Sequence, residues 1–241
     1  MSPPIETVGL TRIFDGDRAV DGIDLSVGAG EIHAIVGLNG AGKTTLMRLL
    51  LGMLRPHAGR AMIDGNDARQ APSSVWRQVG HLIETPFAYP ELTVRENIAA
   101  SALLHSVPRT RLDESVSRMI DQLELGPWAE RRARVLSLGN QQRLGLASAL
   151  VHKPSILVLD EPANALDPVG IMFTRDLLQE RAGEGAAVLV SSHHFDQLAR
   201  VAHRITVMHR GRMAGTLDPA GVDLEQSFFE LVHEYDLGNP S

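Results

Sequence analysis

A chain of 241 residues with a 44% hydrophobic share has room for one sizeable core, and its apolar runs IHAIV, SILVLD and AAVLV fall far short of the roughly 18 residues that suggest a membrane span. The formal net charge of -6 lacks the basic footprint that nucleic-acid binding uses. With no cysteine there is no disulfide framework or thiolate metal site, which fits a reducing compartment such as the cytosol, and MSPPIETV has no basic, apolar signal pattern to mark the chain for export.

Residues 5 to 36 are predicted as strands. Ile23, Leu25 and Val27 alternate, GAGE is a turn, and Ile32 to Val36 is the continuous apolar run of a buried strand. GLNGAGKTT follows at residues 37 to 45 and fits G-x-x-x-x-G-K-[ST], set between that strand and the apolar segment LMRLLLGML. The glycines Gly37, Gly40 and Gly42 let the backbone curl so that successive N–H groups converge on phosphate oxygens, and the next helix adds the partial positive charge of its N-terminus. Leu38, Asn39, Ala41 and Thr45 complete the loop. Lys43, one of only two lysines in the chain, is placed to reach the terminal phosphates, and Thr44 to ligate Mg²⁺.

From Thr93 the period changes. TVRE has the spacing of a capping box, Leu112, Val116, Met119, Ile120 and Leu123 share one face of a second helix, and the helical block runs to about His152. Within it LSLGN, residues 136 to 140, opens the apolar-striped QQRLGLASALVH as a second helix start with outward N–H groups. One bound nucleotide needs one phosphate-reading helix terminus, and the glycine loop supplies it. The second terminus is therefore predicted to read another nucleotide.

After Pro154 strands and helices alternate as SILVLD, GIMFTRDLLQERAG, AAVLVSS, HFDQLARVA and RITVMH, the pattern of parallel βαβ units. SILVLDEP ends a buried strand in Asp160 and Glu161, at the edge where such a sheet presents its ligand. There Asp160 can hold Mg²⁺ through water and Glu161 can orient or deprotonate an attacking water; the plainer alternative is that the two acids cap a strand. SSHH opens on the same edge, where His193 can contact a γ-phosphate or serve only as a surface or capping residue. A short tail follows Leu217 and ends in GNPS.

In this order, GLNGAGKTT, LSLGNQQR, LVLDEP, NALD and SSH resemble the ATP-binding subunit of ABC transporters over roughly residues 5 to 217. The resemblance implies an α/β fold: a P-loop NTPase core of RecA-like type at 1–84 and 153–217 with an N-terminal antiparallel β subdomain, an inserted α-helical subdomain at 85–152, and a tail at 218–241. It implies ATP with Mg²⁺, and a head-to-tail pair with a second copy of the chain, in which LSLGN of one subunit closes over ATP held by the glycine loop of the other. By position, Ser137 and Gly139 would contact the partner's γ-phosphate and Asp167 of NALD would lie at the seam. Phe14 falls where the family stacks an aromatic on adenine, the alternative being a core phenylalanine. Leu138 and Asn140 depart from the commonest pattern, which has glycine and glutamine there.

In VGHLIETPFAYPELTVREN the family's usual glutamine is replaced by Glu84, implied as a further Mg²⁺ ligand, and ETPxxYPxLTxxEN resembles exporters that protect against lantibiotics and bacitracin-type peptides. The implied function is an ATPase with Glu161 as base, assisted by Lys43 and His193. It would power a separate membrane permease, an exporter of peptide antibiotics or drugs, from the inner face of the cell membrane. The alternative is a non-transport ATPase of the same class acting on nucleic acid or as an assembly scaffold. The acidic balance, the single glycine loop and the absence of a long coiled coil speak against it.

Overall fold

A computed structural model describes residues 2–192 and 201–238. The chain opens with an antiparallel hairpin, β1 (Ile5–Phe14) and β2 (Asp17–Val27), that buries Ile5, Leu10, Val20, Ile23 and Val27. Next comes β3 (Ile32–Val36), buried at every position, and then α1 (Lys43–Leu50). With β4 (Ala58–Ile63) and β5 (Asn66–Asp67) the hairpin forms a four-stranded antiparallel sheet in the order β2-β1-β4-β5. The short α2 (Ser73–Trp76) leads to β6 (Val79–Leu82).

Three helices follow. In α3 (Val94–Leu104) the predicted capping box is present: the Thr93 hydroxyl accepts from the Glu96 N–H and the Glu96 carboxylate accepts from the Thr93 N–H. In α4 (Arg109–Gln122) the stripe Val116, Met119 and Ile120 is buried, as its 3.6-residue spacing requires. The third, α5 (Leu138–Leu150), buries eight of its 13 residues and packs against α3 and β6.

The second half runs β7 (Ile156–Leu159), α6 (Pro168–Gly183), β8 (Ala187–Ser192), β9 (Arg204–His209), β10 (Arg212–Leu217) and α7 (Leu224–Gly238). The second sheet has the order β10-β9-β3-β8-β7-β6, parallel from β9 to β6 and antiparallel only at β10. Strands apolar on both faces divide the interior into two clusters, because successive side chains point to opposite sides of a sheet. Ile32, Ala34, Val36, Leu157, Leu159, Val188 and Val190 face the helices, in a cluster that continues into Ile120 and Leu150. Ile35, Ile156, Val158 and Leu189 face α1 and the antiparallel sheet.

The expected fold class is the observed one, with an antiparallel sheet first and a helical insertion in the middle. Residues after Leu217, read only as a tail, contain a 15-residue helix whose Phe228 is fully buried. Most of the predicted segment HFDQLARVA lies outside the described residues. Among the described residues no helix is long and apolar enough to cross a membrane.

Candidate functional site

Parallel pairing sends β3, β8 and β7 to the same edge of the sheet, with β8 between the other two. The glycine loop leaves β3, Asp160 and Glu161 leave β7, and Ser191 is the last residue but one of β8, so topology alone brings these groups to one place. A cleft of about 220 Å³ opens there, lined by Ala19, residues 39 to 45 and Glu161. Gly37 and Leu38 do not line it; their carbonyls accept from Lys43 Nζ at 2.6 and 3.3 Å.

The loop tolerates only glycine at two points. A Cβ on Gly37 would lie 2.3 Å from the Met208 carbonyl oxygen, and one on Gly42 would lie 2.1 Å from that of Ala19, at a φ of +105°. Gly42 is also the N-cap of α1 and has no side chain with which to cap it, which leaves the first-turn N–H groups to an anion. Lys43 is 6% exposed, and its ammonium stands 3.7 Å from Glu161 Oε1. A phosphate entering the cleft would exchange the two loop carbonyls for charged oxygens at little cost in side-chain movement.

Asp160 is buried and accepts from Thr44 Oγ1 at 2.7 Å through one oxygen and from the Ser191 hydroxyl through the other. The Ser191 oxygen in turn accepts from the Glu161 N–H at 2.9 Å. A hydroxyl and a carboxylate in contact, with no cluster of three metal-binding side chains among the described residues, suit Mg²⁺, which takes one or two protein oxygens and completes its shell with phosphate and water. Glu161 has a φ of +49°, a conformation that costs energy outside glycine and persists where its surroundings fix it.

Residues 20–164 match the ABC transporter family. The chain belongs to that family. The bacitracin transport ATP-binding protein BcrA of Bacillus licheniformis is 33% identical over 214 residues, covering 88% of this chain and 69% of that protein. The daunorubicin/doxorubicin resistance ATP-binding protein DrrA of Streptomyces peucetius is 35% identical over 209 residues, 87% of this chain and 63% of that protein. A solved ATP binding subunit of an ABC transporter superposes with a TM-score of 0.87 at 26% identity, covering 95% of this chain and 99% of that one.

As in the ABC pattern, Ser137 is the N-cap of α5, with its hydroxyl accepting from the Asn140 N–H. None of residues 137 to 140 lines the phosphate cleft of the same chain, and Leu138 is 74% exposed. Gly139 has a reason within this chain: a Cβ would come 2.7 Å from the Ala165 carbonyl oxygen, so the LSLGN turn and the NALD segment touch. Asp167 caps α6 by accepting from the Gly170 N–H at 2.9 Å and pairs with Arg143 at 2.7 Å. That N–H, with the guanidinium, holds its carboxyl below the usual carboxylate range. Phe14 is 40% exposed at the hairpin tip with the Arg12 guanidinium 4.5 Å above its ring, which removes the core alternative. His193 lies outside the described residues.

Glu84 departs most from expectation. It sits at a φ of +57°, ion-pairs with Arg48, and lines a separate cavity of about 350 Å³ rather than the phosphate cleft. Arg48 lies one helical turn beyond Thr44, so this carboxylate answers a cation on α1 instead of joining the Thr44–Asp160 pair. Three residues that sequence reading passed over also act here: Ser191, Gln142 and Arg143. Gln142 is buried and donates to the Glu161 and Pro162 carbonyls at 3.2 and 3.1 Å. Their only signal was their place in the quoted stretches SSHH and QQR.

Proposed function

We propose that the chain binds and hydrolyses ATP with Mg²⁺ as the motor subunit of an ABC transporter. In this reading it works as a head-to-tail pair on a separate membrane permease at the inner face of the membrane, exporting peptide antibiotics or drugs. The observation that carries it is that the glycine loop with Lys43 and Thr44 shares one cleft with Glu161, Thr44 contacts Asp160 at its base, and the Ser137 helix start stands outside it, exposed.

The chemistry follows from those placements. Loop N–H groups and Lys43 hold the β- and γ-phosphates; Thr44 and Asp160 would hold Mg²⁺, which supplies charge neutralisation on the transferring phosphoryl group. Glu161 orients the attacking water and takes its proton, and His193 is the proposed contact to the γ-phosphate. A second copy completes the pocket through Ser137, Gly139 and the Asp167 segment, and Phe14 offers its exposed ring to the adenine. The permease seat is proposed at the second cavity, whose wall carries Phe87, Tyr89, Leu104 and Met53, all exposed apolar side chains beside Glu84. Relatives named for bacitracin transport and for daunorubicin resistance support export of such compounds.

Glu161→Gln keeps the size of the side chain and removes the base. In sedimentation with Mg-ATP it should shift from monomer to dimer and release phosphate at least about 10²-fold more slowly than the unaltered chain. A variant that turns over normally and stays monomeric would overturn the assignment.

A further inference from the structure

Glu161 is held from two sides. Its N–H donates to Ser191 at 2.9 Å, and its carbonyl accepts from the Asn164 N–H at 3.0 Å and from the Gln142 amide at 3.2 Å. The same Gln142 nitrogen reaches the Pro162 carbonyl at 3.1 Å, so one buried amide spans both carbonyls that follow the base. The next residue along α5, Arg143, pairs with Asp167 at the far end of the segment, and Gly139 meets its middle at Ala165, another non-glycine residue with positive φ, at +60°. The segment from Glu161 to Asp167, left-handed at both Glu161 and Ala165, is thus laid along the first turns of α5 and pinned at three points. A backbone so placed keeps its conformation only while those pins hold.

We infer that Gln142 is a positioning residue: it fixes the direction of the Glu161 carboxylate by holding the carbonyls of residues 161 and 162 to α5, and so ties the base of one site to the seating of the helix that meets the partner's nucleotide. The inference rests on the proposed reading of Glu161 as base and of the Ser137 turn as the partner-facing terminus. Gln142 is five residues from Ser137 on a 13-residue helix. A rigid shift of that helix on engaging a γ-phosphate moves the Gln142 amide with it, and with the amide the two carbonyls it holds. Hydrolysis at one cleft then depends on occupancy of the other without any contact between the two nucleotides.

Phosphate release by the full chain at saturating Mg-ATP, with nucleotide affinity measured in parallel, tests this. Gln142→Ala should lower kcat about tenfold or more and leave KM within about twofold, because the phosphate contacts are untouched. Gln142→Glu keeps the shape and makes the donor titratable: ionised, it faces two carbonyl oxygens with nothing to donate; neutral, it restores one hydrogen bond. Its kcat, expressed as a ratio to that of the unaltered chain, should rise as the pH falls. A role in packing alone predicts a loss in Gln142→Ala, little loss in the isosteric Gln142→Glu and a ratio flat with pH, and that result overturns the inference, as does full kcat in Gln142→Ala while Glu161→Gln is inactive. If Gln142→Ala does not fold, the pH profile of the isosteric Gln142→Glu decides. Normal turnover in Glu161→Gln would instead remove the base, and with it anything to position.

Discussion

Ser191 shows what one side chain does here and what a sequence hides. Its hydroxyl donates to Asp160 and accepts from the Glu161 N–H, so one oxygen sets the relative placement of the predicted metal ligand and the predicted base. Ser191→Ala should leave nucleotide affinity within a few-fold, lower kcat about tenfold, and cost about 1–3 kcal/mol of stability for the buried polar groups left unpaired. Phosphate release and urea unfolding read the two effects, and an unchanged kcat would reduce Ser191 to a packing residue. The residues legible beforehand were those whose role is written in contiguous backbone: Lys43 and Thr44 in a glycine loop, Asp160 and Glu161 at a strand end, Ser137 before a helix. Ser191, Gln142 and the Arg48–Glu84 pair act across 31, 19 and 36 residues of chain, and no local spacing announces them. Glu84, implied as a metal ligand by its place in the family pattern, pairs in this structure with an arginine one turn further along α1 than Thr44, a contact that no local spacing shows.

Elements were legible where their partner faces are common ones. The capping box at Thr93 and the α4 stripe announce themselves, and the run from Ile32 to Val36 can only be a strand covered on both sides. α7 was not, although Leu224, Phe228 and Leu231 have helical spacing, because that stripe gains meaning only against β10: a Cβ on Gly215 would meet the Leu231 side chain at 2.8 Å, so helix and strand pack closely there. Phe228→Ala should cost about 3–5 kcal/mol, the usual range for a truncated core aromatic. The loss should also reach the phosphate loop. Asp236 on α7 pairs with His209 and Arg210, and the adjacent Gly211 N–H donates to the Ala41 carbonyl at 3.0 Å. Thermal unfolding and ATP binding on the same variant would show both effects; a stability change under about 1 kcal/mol would mean that the helix is docked far more loosely than a fully buried ring implies.

For the molecule as a whole, the buried histidines set an acid limit on stability. Burial, then the nearby Arg204, pushes His33 down to about 4; its ring contacts Thr206 Oγ1 at 2.8 Å between β3 and β9. Burial, then the stacked His105, pushes His152 down to about 3, the two rings lying 3.8 Å apart. Unfolded, both titrate near 6.5. Between that value and the folded ones the unfolded chain binds more protons than the native state, so stability is complete above pH ~6.5, falls as the pH drops, and levels off only near 4 and 3. Each group contributes up to about 1.4 kcal/mol per pH unit in that window, on the order of 3 kcal/mol for His33 alone, against a total of roughly 5–15 kcal/mol for a typical domain. Asp21 acts lower: its carboxyl is held below the usual range chiefly by Arg18 and also by Arg212, so its contribution is present above about 4 and is lost only as the pH falls through its folded value. Urea unfolding at pH 7.5, 6 and 5 should show a loss that steepens below 6.5, and His33→Leu should remove one proton's share of the slope. A stability that stays constant from pH 7.5 to 5 would mean that water reaches both rings, and that the sheet face at His33 and the stack behind the second cavity are open in solution.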